Sequence, residues 1–290
     1  MSARPPIVVG LGEVLWDRFP DGDRLGGAPA NVAFHASQLG AKGIVASRIG
    51  TDSDGDRLAA ELAANGLGLE AVQRDPEHST GVVRVTVSDG EPAYVIERDS
   101  AWDHIEFTPE WEALAAGADA VCFGTLAQRN EPSRRAIQAF VAASKKALRL
   151  FDVNLRQSYY SPETIRFGLS HSAIVKLNEK ERDAVAALLG WRETGEAASA
   201  RFLAEFPLEW IAVTRGARGC ELRSRNQTLR AIAPRVTCID AVGAGDSFSA
   251  ALLVGLLAGT PPQDVIDHAV RVGAYVATQH GAMPPHPSLL

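Results

Sequence analysis

The chain has 290 residues, of which 46% are hydrophobic and 22% charged, with 26 glycines and a net charge of −6. Those proportions fit one large α/β domain or two smaller ones with ample core, and they exclude collagen, coiled coil and long disordered chains. A net negative chain lacks the basic field that recruits nucleic acid, so no nucleic-acid partner is expected.

Met1 to Pro6 is too short and polar for a signal segment. Apolar stretches elsewhere break well before the roughly 20 residues that a membrane-spanning helix needs. A soluble, cytoplasmic protein with no membrane partner is the expectation. Cys122, Cys220 and Cys238 are odd in number and far apart, and they read as reduced core residues.

Ile7-Val8-Val9-Gly10-Leu11 is a short β-branched run of the kind that forms a buried parallel strand. From Pro29 to Leu39 the spacing of Val32, Ala33, Ala36 and Leu39 predicts a helix, with Gly40 as its stop. Strands at 43–49, 119–123, 148–153, 173–177 and 209–214 then alternate with helices at 55–65, 132–147, 179–189 and 246–258. Such alternation predicts a doubly wound, mostly parallel α/β sheet with helices on both faces. One segment breaks the rhythm. Between Gly81 and Glu97, Val83, Val85 and Val87 alternate with polar residues up to Asp89-Gly90, and Ala93 to Ile96 follow. Period-two alternation around an Asp-Gly turn predicts a β-hairpin, a lid over a site, a dimer surface or an ordinary edge.

The residues that carry chemistry fall in glycine-rich turns. Asp240-Ala241-Val242-Gly243-Ala244-Gly245-Asp246 opens an apolar helix, so backbone N–H groups gather at the positive end of its dipole and form an anion site. Asp246 at its mouth can take a proton from a hydroxyl attacking a bound phosphate, though a plain helix cap would look the same. Gly26-Gly27-Ala28-Pro29-Ala30-Asn31 leads into the first helix, where Asn31 offers a donor and an acceptor to a polyol. Thr214 to Gly219 is a third glycine turn, after a strand. Asn178-Glu179-Lys180-Glu181 starts a helix, where Glu181 also suits the dipole. Asp152, Asn154 and Arg156 alternate from the C-terminal end of a strand, where open α/β sheets bind ligands.

Absences narrow the chemistry. There is no P-loop signature, and Gly10-Leu11-Gly12 lacks the third glycine of a dinucleotide loop, with Glu13 placed to crowd a pyrophosphate. No metalloprotease or serine-hydrolase motif is present, and the 7 histidines show no ligand spacing.

Taken together, Gly26 to Asn31, Asn178 to Glu181, Thr214 to Gly219 and Asp240 to Asp246 resemble, in order, the motifs of the ribokinase-like, or PfkB, carbohydrate kinases. The resemblance runs nearly end to end and implies a single α/β domain over 1–290 with small β lid segments at about 13–26 and 80–98. It implies transfer of the ATP γ-phosphate to a sugar hydroxyl, with Asp246 as base and the amides of Gly243, Ala244 and Gly245 stabilising the phosphoryl group. Asp17, Gly26, Gly27 and Asn31 would hold the sugar; Thr214, Gly216 and Gly219 would line the nucleotide; Asn178 and Glu181 would order Mg²⁺ and phosphate through water. A monovalent cation, K⁺, would sit beside the turn, held by the Asp240 side chain and by carbonyls at Val242, Val276, Gln279 and Gly281. Gly12 to Asp17, Phe123 to Leu126 and Asp152 to Arg156 look most like bacterial fructokinases, which implies fructose as substrate. Arg98 and Arg156 would equally meet the carboxylate of 2-keto-3-deoxygluconate. A non-catalytic sugar or nucleotide sensor is the alternative of another class, and a dehydrogenase is a third. Lid hairpins in the family often pair between subunits, which implies a homodimer.

Overall fold

The computed structural model describes residues 4–88 and 91–287. In chain order the elements are β1 (Ile7–Leu11), β2 (Leu15–Phe19), β3 (Gly22–Gly26), α1 (Ala28–Gln38), β4 (Lys42–Gly50), α2 (Ser53–Ala64), β5 (Val72–Asp75), β6 (Gly81–Ser88), β7 (Glu91–Ile96) and α3 (Pro109–Gly117). They continue as β8 (Ala120–Phe123), α4 (Glu131–Ala143), β9 (Leu148–Asp152), α5 (Pro162–His171), β10 (Ile174–Asn178), α6 (Glu179–Leu188) and α7 (Gly195–Glu205). The chain closes with β11 (Trp210–Thr214), β12 (Cys220–Arg223), β13 (Thr228–Ala231), α8 (Ala244–Leu257) and α9 (Pro262–Val276).

Nine strands form the main sheet in the order β13-β12-β11-β10-β9-β8-β1-β4-β5. It is parallel from β11 to β5, and β12 and β13 add antiparallel at one edge. The chain winds outward from β1 in both directions, so the sheet is doubly wound, and the C-terminal ends of β1, β8, β9, β10 and β11 share one edge.

Strand alternation decides what each face meets. Val9, Leu11, Val121, Phe123, Phe151, Val175 and Leu177 point into a core shared with α3 to α7, while Val8, Cys122, Leu150 and Ile174 point into one shared with α1, α8 and α9. Asp152 and Lys176 have the parity of Leu150 and Ile174 and therefore lie under α8. Helix α1 seats closely on the sheet because Gly10 has no side chain: a Cβ there would collide with the Pro29 carbonyl.

The expected hairpin is half of a second sheet, ordered β3-β2-β6-β7, in which β2 pairs in parallel with β6. Its Asp89-Gly90 turn lies outside the described residues. Val82 and Val83 are both buried, since the sheet meets a different core cluster on each side. Two expectations are corrected. Cys122 and Cys220 are buried but Cys238 is exposed, because it lies in the irregular stretch before α8 rather than in a strand. The strand expected at 148–153 ends at Asp152, and Asn154 turns to φ 39°, so 152, 154 and 156 do not share a face. Helices α3, α5, α7 and α9 and strands β5, β12 and β13 are additional to the sequence reading. Among the described residues no helix is long and apolar enough to cross a membrane.

Candidate active site

Helix α8 starts directly after Gly243, whose φ of 78° is left-handed and which lies buried against Ala282. The first amides of a helix have no intrahelical acceptor, so this turn presents N–H groups at the open edge of the sheet. The Ala244 amide is partly engaged, donating to the Ala241 carbonyl at 3.3 Å. Beneath the turn lies a cation that the sequence reading missed. Lys176 is buried on β10, and a Cβ at Gly245 would lie 2.9 Å from its Nζ. Sheet register pairs Lys176 with Asp152, and Nζ donates to both carboxylate oxygens at 3.1 and 3.0 Å. Ser249, one turn into α8, donates its hydroxyl to Asp152 Oδ2 at 2.9 Å. Burial alone would drive the proton off Lys176, yet Asp152, Asp246 and Glu181 together raise its pKa. The available signal was the strand parity that places a charge at 176 under an apolar helix.

Asp246 reaches across to the first glycine motif. Asn31 Nδ2 donates to Asp246 Oδ2 at 2.7 Å, joining residues 215 apart in the chain. Among the described residues, the buried Asn31 Oδ1 has no hydrogen-bond partner. Burial and the negative charge of Asp152 raise the Asp246 pKa, opposed by Lys176, the Asn31 hydrogen bond and Arg156. Two further acids have raised pKa values. Burial raises Asp17 from 3.8 to about 6 and Glu13 from 4.5 to about 7. The positive charge of exposed Arg156 acts on Glu13, Asp17 and Asp246 alike. Gly26 makes room for the Asp17 carboxylate, which a Cβ would strike, and Gly27 begins α1 at φ 110°. Arg98 stands against Tyr159, its Nε donating to the tyrosine hydroxyl at 3.4 Å, and does not act on the charges of Glu13, Asp17 or Asp246 as Arg156 does.

The remaining predicted residues take places around the turn. Asn178 and Glu181 cap α6 reciprocally: Asn178 Oδ1 accepts from the Glu181 amide at 2.9 Å, and Glu181 Oε2 accepts from the Asn178 amide at 2.8 Å. Glu181 Oε1 also accepts from the Leu155 amide at 3.0 Å, which ties the Asp152–Arg156 segment to α6. Register sets Thr214 beside Asn178, and Gly216 faces open space. Gly219 packs closely under Ala231, a structural position rather than an open one. The Asp240 carboxylate accepts from the amides of Val242 at 3.0 Å and Gly281 at 3.2 Å, gathering those two segments. The Val276 carbonyl accepts the Gln279 amide at 2.9 Å.

The sequence pattern of the pfkB family of carbohydrate kinases matches residues 22–289. The chain belongs to this family. The kinase is 31% identical to a fructokinase of Klebsiella pneumoniae, with 96% of this chain and 95% of the other aligned. It is 30% identical to an Escherichia coli fructokinase over the same shares of the two chains. Its fold superposes on the crystal structure of a Vibrio cholerae fructokinase bound to fructose, ADP and calcium ion, with a TM-score of 0.80, 26% identity and coverage of 98% and 96%. The chain is a sugar kinase of α/β fold with a second small sheet.

Proposed function

We propose that this sugar kinase transfers the γ-phosphate of ATP to fructose, giving fructose 6-phosphate, with Asp246 as the general base. The observation that carries the reading is the Asn31–Asp246 pair, in which a buried amide oxygen without a partner among the described residues stands beside a carboxylate of raised pKa. A sugar hydroxyl donates to one of these acceptors and reacts after losing its proton to Asp246. The amides at the start of α8 and the charge of Lys176 below Gly245 supply preorganised positive potential where negative charge develops on the phosphoryl oxygens.

Asp17, Gly26 and Gly27 line the sugar side, where the positive charge of Arg156 acts on Asp17. A neutral ketose suits this pocket better than a keto acid, because the carboxylate of 2-keto-3-deoxygluconate would join Glu13, Asp17, Asp152 and Asp246. The fructokinase names of two relatives near 30% identity support the same choice. Nucleotide lies along Thr214 and Gly216, and the exposed apolar residues Val236, Ile239 and Val242 of the stretch before α8 are candidates to meet its base. Asn178 and Glu181 carry hard oxygen donors suited to the water shell of Mg²⁺, which when bound neutralises phosphate charge. Asp240, with Val242 and Gly281 drawn to it, likewise presents oxygen donors suited to K⁺. The small sheet serves as the lid, and its open edges, β3 and β7, suit pairing with a second copy.

A coupled ADP-release assay with Mg-ATP and K⁺ over fructose, 2-keto-3-deoxygluconate, ribose, tagatose and adenosine tests the proposal. Turnover is expected on fructose, falling as pH drops through the raised Asp246 pKa, and Asp246→Ala should lower kcat by about 10²–10⁴. Turnover confined to the keto acid would replace the substrate, and a folded Asp246→Ala protein with near-full kcat would remove the base.

A further inference from the structure

Away from the anion turn, folding gathers histidines that the sequence keeps apart. His78 precedes β6, Asp99 and His104 follow β7, and one ligand atom from each lies within 4.8 Å of the others. The two imidazoles stack with centroids 3.5 Å apart and planes 11° from parallel. His104 Nε2 lies 2.8 Å from Asp99 Oδ1, and His78 Nε2 faces the same oxygen from 4.0 Å.

We propose that His78, Asp99 and His104 form a binding site for a divalent transition-metal ion, Zn²⁺ being the fitting probe, which clamps the two legs of the β6–β7 hairpin at its base. The buried carboxylate of Asp75 accepts the Nδ1 proton of His78 at 3.0 Å. That bond fixes the tautomer, so in the neutral ring the Nε2 lone pair points toward the Asp99 carboxylate with no hydrogen between them. Two electron-rich atoms facing across 4.0 Å leave a gap that suits a cation. The carboxylate behind His78 is the outer-shell support that ligating histidines commonly have. Imidazole donors select Zn²⁺, Ni²⁺ or Cu²⁺ over Mg²⁺ and Ca²⁺. Tetrahedral zinc with ligands at about 2.0–2.1 Å spaces its donors roughly 3.4 Å apart, and because each imidazole holds a metal in its own ring plane, the two stacked rings tilt out of parallel to converge on one ion. Neutral His104 becomes a ligand when its ring proton moves through water from Nε2 to Nδ1: the hydrogen bond to Asp99 is given up, Nε2 gains a lone pair for the ion, and no net proton is released.

The placement gives the ion a consequence. The Ala101 amide already donates to the Ser79 carbonyl at 2.8 Å, so the legs touch where the cluster lies. An ion across them stiffens the base of the small sheet and fixes Asp99, the neighbour of Arg98. Purified kinase stripped with chelator and titrated with Zn²⁺ by calorimetry should bind one ion at this site, and excess Mg²⁺ should not displace it. His78→Ala and His104→Ala should each weaken that binding by more than the roughly tenfold that loss of an outer-shell partner costs, since each removes a ligand itself. Asp99→Asn, a near-isosteric change at an exposed position, keeps the test open if a histidine variant folds poorly, and it should weaken binding too. Cys238→Ser should leave affinity unchanged. Hydrogen exchange at 76–80 and 98–104 should slow on Zn²⁺ addition in the unsubstituted kinase and not in His78→Ala/His104→Ala. Unchanged affinity in the folded double variant, or exchange that ignores Zn²⁺ at both legs, overturns the proposal.

Discussion

Replacing Glu13 by glutamine tests how this pocket stores electrostatic strain. Glu13 follows β1 and is only 4% exposed. Burial raises its pKa from 4.5 to about 7, with the hydrogen bond to its own backbone and the charge of Arg156 opposing and Asp246 adding to the rise. The folded chain therefore binds this proton more tightly than the unfolded chain does. Between those two values the folded state holds more protons, so the Glu13 contribution to stability falls as pH rises, the reverse of a salt-bridged acid. At about 1.4 kcal/mol per tenfold change in proton affinity, the loss reaches about 3 kcal/mol above pH 7. Glutamine keeps the shape and cannot ionise. Urea unfolding of the Glu13→Gln and unsubstituted chains across pH should give matching stabilities at pH 4. The variant should gain through the interval and level off about 3 kcal/mol more stable near pH 8. A difference that is flat with pH, or that favours glutamate at high pH, would refute the desolvation argument.

Two further perturbations probe the same edge of the sheet. Lys176→Met should destabilise the fold by about 3–5 kcal/mol, because it leaves Asp152 charged and buried, and adding Asp152→Asn should restore most of that loss in denaturant titrations; equal stability of the single and double variants would show that the pair is not coupled. Gly26→Ala puts a methyl group against the Asp17 carboxylate; removing one hydrogen bond to a charged group, worth about 1.5–3 kcal/mol, should raise KM for the sugar roughly tenfold or more with kcat nearly kept, and an unchanged KM in steady-state kinetics would place Asp17 outside the sugar site.

The doubly wound sheet was legible because buried parallel strands need uninterrupted apolar runs, and Ile7–Leu11, Ala120–Phe123 and Trp210–Thr214 supply them. The glycine motifs were legible because a turn that opens a helix has few sequence solutions. Hidden features depend on partners chosen by register. Lys176 is one polar letter in the strand IVKLN, and only the pairing that sets it against Asp152 reveals an ion pair. Strand β9 gives the matching error: alternation carried past Asp152 predicted a shared face with Asn154 and Arg156, and a positive φ at Asn154 breaks it.

The same distinction explains why the histidines carried no ligand spacing. Spacing encodes a metal site when both donors lie on one helix or one tight loop, and His78 and His104 lie on neither. They meet because β6 and β7 pair as a hairpin, which returns the chain to its starting point and sets residues before one strand beside residues after the other. The small sheet that carries Asp17, which we propose holds the sugar, therefore also makes the His78–Asp99–His104 cluster at its base. Two chemistries so linked through one hairpin are coupled in principle: whatever holds the legs together biases where Arg98 and Asp17 stand when a substrate arrives.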